Sequence, residues 1–467
     1  MALLSRRGLL ATATGAGLAT TLPSLGRSAT GAVREATLIA AERPASLRPD
    51  LPPSPLWTYA PTGMPVLRVQ RGDRLRTTLT NDLPEHTSIH WHGLRVPNTE
   101  DGVPFVTQPP VQAGARYGYD FILPDTGTYF FHPHCDTAQQ LGRGLAGIIV
   151  VEGDSDRPFD ADLVLAIRDF RLDDTGGFLP FITAEGASRG GSFGTLRTVN
   201  GLPDPFLGLP AGGDERLRIL NIDNTRVIEL GCEGAEAAIL AIDGNAVAPQ
   251  PLRSWRMGPA MRLDVVLRAP QAGATVRLLD YFAPEPVELA RLTASGERLS
   301  RPDFAPWPLQ PNALPEPDLE RASRLRLSFS ATAIAQELVL PNGEVLRYAD
   351  ALCLANRTFW AINRASWPEA GHAQLPPPLF EIGRGRTQIL ELVNATPQMH
   401  PIHLHGHFFK VLEPHRGMPP HWADTVLLGP KDRVEVAFVA DNPGDWMLHC
   451  HVIEHQETGM MAIYRVT

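Results

Sequence analysis

Five pairs of the form His-x-His stand in this chain: His90/His92, His132/His134, His403/His405, His405/His407 and His449/His451. Fifteen histidines placed at random in 467 positions would give about half of one such pair. The pairs keep to the two ends of the sequence, and no histidine lies between His134 and His372. Residues i and i+2 of a β-strand face the same way, so each pair offers two imidazoles to one side. Two early pairs and two late ones can meet across a domain boundary as a cluster of eight imidazoles. One zinc ion takes four ligands, or three and a water, so eight are too many for a single zinc site.

The last pair encloses a thiol, in His449-Cys450-His451-Val452-Ile453-Glu454-His455-Gln456-Glu457-Thr458-Gly459-Met460. Between two like-facing histidines, the Cys450 sulfur must point to the opposite face of its strand. Cys450, His455 and Met460 need one more imidazole to complete a trigonal His₂Cys set with a long axial thioether. That soft set suits copper in electron transfer. His400, opening His400-Pro401-Ile402-His403-Leu404-His405-Gly406, is the natural second imidazole. One copper then lies on one side of the Cys450 strand and a histidine cluster on the other. Three adjacent residues make a short covalent path for electrons between them.

Elements that could hold such strands run along the whole chain. Short runs rich in Val, Ile, Leu, Phe and Thr, such as Leu67–Val69, Gly147–Val151, Leu263–Leu267 and Arg433–Phe438, alternate with turns. The 44 prolines and 41 glycines are spread throughout, which predicts an all-β protein of sandwiches with little helix. A length of 467 residues exceeds one hydrophobic core. Composition breaks at Gly153–Pro158 and in the Pro-rich run Arg301–Pro317 predict three domains, 33–155, 156–300 and 321–467, with a linker at 301–320. Net charge is -9 with no basic stripe, which argues against a nucleic-acid partner. Four cysteines are too few for a disulfide scaffold, and whether Cys232 and Cys353 pair is not readable from spacing.

Residues 1–32 read as an address. Arg6-Arg7 precede a mildly apolar stretch from Leu9 to Leu22 that is too short to span a membrane, as in a twin-arginine export signal. Cleavage is expected between about Gly26 and Ala32. The expected product is a soluble periplasmic protein with no membrane anchor, delivered by the twin-arginine export machinery.

On the four segments His90-Trp91-His92-Gly93, His132-Pro133-His134, His400–Gly406 and His449–Met460, the sequence resembles three-domain bacterial multicopper oxidases of the laccase type. Val199-Asn200-Gly201 and Ala241-Ile242-Asp243-Gly244 are similar to that family's middle domain. The resemblance implies three consecutive cupredoxin-like Greek-key β-sandwich domains and four copper ions. It assigns His400, Cys450, His455 and axial Met460 to a type 1 copper, and His90 and His403 to a type 2 copper. The type 3 pair takes His92, His132, His134, His405, His449 and His451. It also implies substrate oxidation at the type 1 site through an exposed imidazole edge on His455, and reduction of O₂ to water at the other three coppers. Asp101, in Asn98-Thr99-Glu100-Asp101-Gly102, matches the acid that orients the type 2 water. His86, His372, His407, His415 and His421 are left as surface or supporting residues.

There are departures. Many bacterial members carry a glutamate where this chain has Gln456, which cannot titrate, so Glu454 and Glu457 become candidates for moving protons. Cys135 beside His134 is unusual and reads as an inert thiol. Members specialised for Cu(I) carry methionine-rich insertions, whereas only Met257 and Met261 lie between Gly201 and Phe380 here. The stretch Asn394–Met399 offers one thioether and no carboxylate. The expected donor is therefore a phenol or aromatic amine, oxidised by a monomer. Oxidation of Cu(I), Fe(II) or Mn(II) for metal tolerance is the alternative.

Overall fold

The computed structural model describes residues 31–331, 337–339, 345–347, 360–368 and 375–467. Arg6, Arg7, Cys353 and His372 lie outside them. The regular structure of the described chain is almost all strand, with short α-helices at Thr137–Gly142, Ala184–Ser188 and Ile453–Glu457.

Six sheets of four to six strands pack as three successive sandwiches. In the first, Ser54–Thr58, Val33–Ala45, Arg74–Asn81 and Arg116–Ile122 form one sheet. Val66–Gln70, Gly147–Glu152, Gly127–His132 and His90–His92 form the other. Arg74–Asn81 alternates exposed and buried residues, as expected of a strand with one wet face. Gly127–His132 is buried throughout, since its outer face meets the rest of the protein. Leu38, Leu75 and Phe121 from one sheet share a core with Trp91, Phe131 and Ile149 from the other.

The middle sandwich runs from Ala161–Phe170 to Val287–Ser295, and the third from Ser323–Ala331 to Met461–Val466. In the third, Phe329, Leu390 and Val436 pack against Ile402, Trp446 and Leu448. The Pro-rich run forms no strand or helix. It is strapped across the seam of the first two sandwiches: Asn312 accepts from the backbone N–H of Thr126 (2.9 Å) and donates to the Gly244 carbonyl (3.3 Å). Trp307 stacks on Phe159 at 4.8 Å.

Candidate metal centre

Strand pairing brings the histidines together. His90–His92 pairs antiparallel with Gly127–His132, setting His90 opposite His132. His400–Leu404 pairs with Gly444–Cys450, setting His403 opposite His449. These two strand pairs, from the first and third sandwiches, face each other. His90 stacks on His405 at 3.9 Å and His92 on His403 at 3.8 Å. His132 and His451 close one side at 5.2 Å, and His134 and His449 the other at 5.2 Å. All eight rings are buried.

Four of the rings are held from behind by backbone carbonyls. His90 Nδ1 meets the Asp101 carbonyl (2.9 Å), His132 Nδ1 the Pro133 carbonyl (3.0 Å), His403 Nδ1 the Asp424 carbonyl (2.9 Å) and His449 Nδ1 the Cys450 carbonyl (3.0 Å). The opposite nitrogens of His90, His92, His132 and His403, and both of His451, have no hydrogen-bond partner. Buried nitrogens without partners are costly, and a ring whose other N–H is pinned to oxygen is a prepared metal ligand. Burial also lowers the basicity of His92, His132, His405, His449 and His451 well below the ordinary value, so the rings are neutral and open to a metal. His405 Nε2 and His449 Nε2 point at one another 3.0 Å apart. These rings would together hold metal, and the set fits the multinuclear copper centre implied by the motifs.

Asp101 lies in this shell. Its Oδ2 accepts from His405 Nδ1 (2.9 Å) and its Oδ1 lies 3.2 Å from His90 Nδ1. The next residue, Gly102, has φ +80°, and a Cβ there would sit 1.7 Å from the Ile89 carbonyl oxygen, so only glycine lets the loop fold Asp101 inward. Asp101→Ala is expected to lower copper retention at this cluster about 10- to 100-fold while leaving the Cys450 site coloured. Metal analysis of the purified variant checks this, and unchanged retention would remove Asp101 from the shell.

A second acid shell had no signature in the sequence. Asp424 Oδ1 accepts from His92 Nε2 at 3.2 Å, and Thr425 Oγ1 lies 3.2 Å from His403 Nδ1. Arg262, from the histidine-free middle sandwich, grips both Asp424 oxygens (2.8 and 2.5 Å) and is wholly buried. Asp243 accepts from the backbone N–H groups of Arg262 (2.9 Å) and Thr425 (3.1 Å). Burial pushes the Asp424 carboxyl up, but Arg262 outweighs it and holds the group well below the usual carboxylate range. Burial pushes Asp243 up to about 7.

On the other face of Gly444–Cys450, the Cys450 sulfur lies 3.6 Å from His400 Nδ1 and 3.7 Å from His455 Nδ1. The two Nδ1 atoms are 3.1 Å apart. Met460 is buried, and its carbonyl accepts from the Cys450 N–H (3.1 Å), which fixes its backbone next to that of Cys450. Burial pushes the Cys450 thiol up, so a metal is needed to hold it as thiolate. Both outer ring nitrogens are engaged: His400 Nε2 with Thr396 Oγ1 (2.8 Å), His455 Nε2 with the Arg189 carbonyl (2.7 Å). His455 is 0% exposed, which corrects the expectation of an open imidazole edge: a middle-sandwich loop covers it.

Of the histidines read as surface or supporting residues, His407 and His421 are buried; His407 Nδ1 lies 2.7 Å from the Tyr464 hydroxyl. Glu454 is engaged with the middle sandwich through Thr183 and Ser192. Glu457 accepts from Ala138 N–H (3.2 Å), and burial pushes it up to about 7. Cys135 is a buried thiol 3.8 Å from Ser88 Oγ, in keeping with an inert role. Among the described residues no helix is long and apolar enough to cross a membrane.

Two family signatures, both described as multicopper oxidase, match residues 54–156 and 353–467. A crystal structure of a multi-copper oxidase from Pseudomonas thermotolerans is 38% identical, with a TM-score of 0.83, over 94% of this chain and 100% of that one. The multicopper oxidase MmcO of Mycobacterium tuberculosis is 28% identical over 435 residues, covering 85% of this chain and 80% of its own length. A laccase of Cryphonectria parasitica is 28% identical over 458 residues, covering 85% and 75%.

Proposed function

Because the chain belongs to the multicopper oxidase family, copper-dependent enzymes that take electrons from a reducing substrate and give them to O₂, we propose that it is a laccase-like oxidase of phenols and aromatic amines. In this reading His400, Cys450, His455 and Met460 hold a type 1 copper, and His90 and His403 a type 2 copper. His92, His132, His134, His405, His449 and His451 hold a type 3 pair, making four ions. Bound copper supplies one-electron acceptance at the first site and four-electron reduction of O₂ to two waters at the other three.

The observation that carries the reading is the two-sided strand end. The Cys450 sulfur faces His400 and His455, while the flanking His449 and His451 face the other six imidazoles. Cys450 therefore joins the two centres through its own backbone. Asp101 and Asp424 orient the rings, and burial of all ten histidines excludes bulk water from the cluster. Arg6 and Arg7 make the enzyme an exported, periplasmic one in this reading.

The donor class follows from what surrounds the type 1 residues. Met399 packs against the middle-sandwich core, Met418 lies within that core, and Met447 and Met461 sit in an apolar cluster with Trp367. Among the described residues around the type 1 set no methionine is exposed, so an arriving soft metal ion finds little thioether to dock on. The second reading, oxidation of Cu(I), Fe(II) or Mn(II), draws on the covered His455 edge, which an outlying ion site would tolerate. Oxygen uptake by the copper-loaded protein separates them, using a methoxyphenol and stabilised Cu(I) at matched concentration. Faster uptake with the phenol, insensitive to added Cu(II), is expected. Uptake mainly with Cu(I), or phenol turnover only after Cu(II) is added, would overturn the phenol reading.

A further inference from the structure

The loop over His455 is tied down from the strand-end helix that carries His455 itself. Glu454 Oε1 accepts from the Thr183 backbone N–H (3.0 Å) and the Ser192 hydroxyl (2.8 Å), and its Oε2 accepts from the Ser192 backbone N–H. One carboxylate so grips both ends of the segment 183–192. The chain between these ends carries the helix Ala184–Ser188 and then Arg189, whose carbonyl meets His455 Nε2. Trp360, whose ring lies 4.4 Å from His455 and 5.1 Å from His400, adds a tether by donating Nε1–H to the Ala187 carbonyl (2.7 Å).

The fit is close on both sides of the carboxylate. A Cβ on Gly186 would lie 2.6 Å from Glu454 Oε1 and 2.1 Å from Ser192 Oγ. The outer surface of the segment is open by contrast: the Arg189 and Glu185 side chains are 71% and 75% exposed and pair with each other, and Phe193 is 45% exposed.

We infer that Glu454 is a specificity-determining positioning residue, which by holding segment 183–192 over His455 keeps bulky aromatic donors off the imidazole edge. This rests on the type 1 assignment proposed above. A donor then meets the Arg189 backbone, and its electron reaches the ring across one N–H···O=C hydrogen bond. Small phenols meet that bond from the open outer side of the segment, where the Arg189 side chain is exposed. Large, rigid aromatics require the segment to swing away, and their apparent affinity is reduced by the small fraction of molecules in which it has done so.

The test uses copper-loaded Glu454→Ala beside wild type, with three readouts: visible absorption, hydrogen–deuterium exchange over 183–192, and kcat and KM for dimethoxyphenol and the bulky azine ABTS. The expected result is retained blue colour, faster exchange in the segment, and about a tenfold gain in kcat/KM for ABTS, carried mainly by KM and exceeding the gain for dimethoxyphenol. Gly186→Ala, whose methyl group crowds Ser192 Oγ and Glu454 Oε1 and so loosens the same grip with the Glu454 side chain kept, is expected to do the same and serves if Glu454→Ala loads copper poorly. Faster exchange with an unchanged ABTS-to-phenol ratio would overturn the role of Glu454 and leave the type 1 site standing. A wild-type protein that binds copper without blue colour would overturn the type 1 assignment itself.

Discussion

Cys450→Ser protein is expected to be colourless and to oxidise phenols more than about a thousandfold more slowly, roughly 4 kcal/mol of barrier. Serine keeps the size of the side chain but replaces a soft sulfur with a hard oxygen that does not ionise near neutral pH, so the His₂ set left behind holds copper weakly. The loss also cuts the covalent path. His449 and His451 remain, but no ligand atom on the opposite face connects to them. The rest of the cluster should persist, because its rings are pinned by Asp101, Asp424 and backbone carbonyls that do not involve the Cys450 side chain. Metal analysis should thus find about one copper fewer than in the parent. Electron paramagnetic resonance should keep the type 2 signal and lose the type 1 signal. A variant that stays blue, or oxidises phenols at near the parental rate, would show that electrons enter elsewhere.

The second large effect is expected at Arg262, far in sequence from any ligand. Arg262→Leu leaves Asp243 and Asp424 buried near one another with no counter-charge, and removing one partner from a buried ion pair costs about 3–5 kcal/mol. Arg262→Lys should fall between, since one ammonium cannot grip both Asp424 oxygens as the guanidinium does. Denaturant midpoints of the copper-free proteins measure this directly. Copper should suffer as well: without a fixed Asp424, the His92 and His403 rings lose their backing, and retention at the cluster should drop about 10- to 100-fold. If Arg262→Leu lowers the unfolding free energy by less than about 1 kcal/mol, the middle sandwich is not the electrostatic support described here.

What could be read from the sequence and what could not divide along a physical line. His90/His92 and His449/His451 were legible because strand geometry converts spacing directly into facing. Cys450 between its histidines was legible for the same reason, and the all-β class followed from turn residues and alternating runs. Arg262, Asp243 and Asp424 were not, because ion pairs between sandwiches obey no local period. Asp424 follows His421-Trp422-Ala423 with nothing to mark it from an ordinary loop acid. The cover on His455 was invisible for a related reason: it depends on a backbone carbonyl at Arg189, and every residue type has one. Glu454 reads in the sequence as a candidate proton carrier; its partners Thr183 and Ser192 belong to the second sandwich, beyond the reach of any local spacing.

The split of the histidines between residues 90–134 and 400–455 also sets an order of events in the making of the protein. Synthesis delivers the first four rings early, yet their partners arrive only with the final sandwich. Joining stretches so distant along the chain adds little loop entropy per residue but is slow, so the seam closes late. A chain lacking its last strands could fold its first sandwich and still hold no complete metal set. Once both ends are present, copper bound across the seam favours the closed form by mass action, and the metal fastens the beginning of the polypeptide to its end.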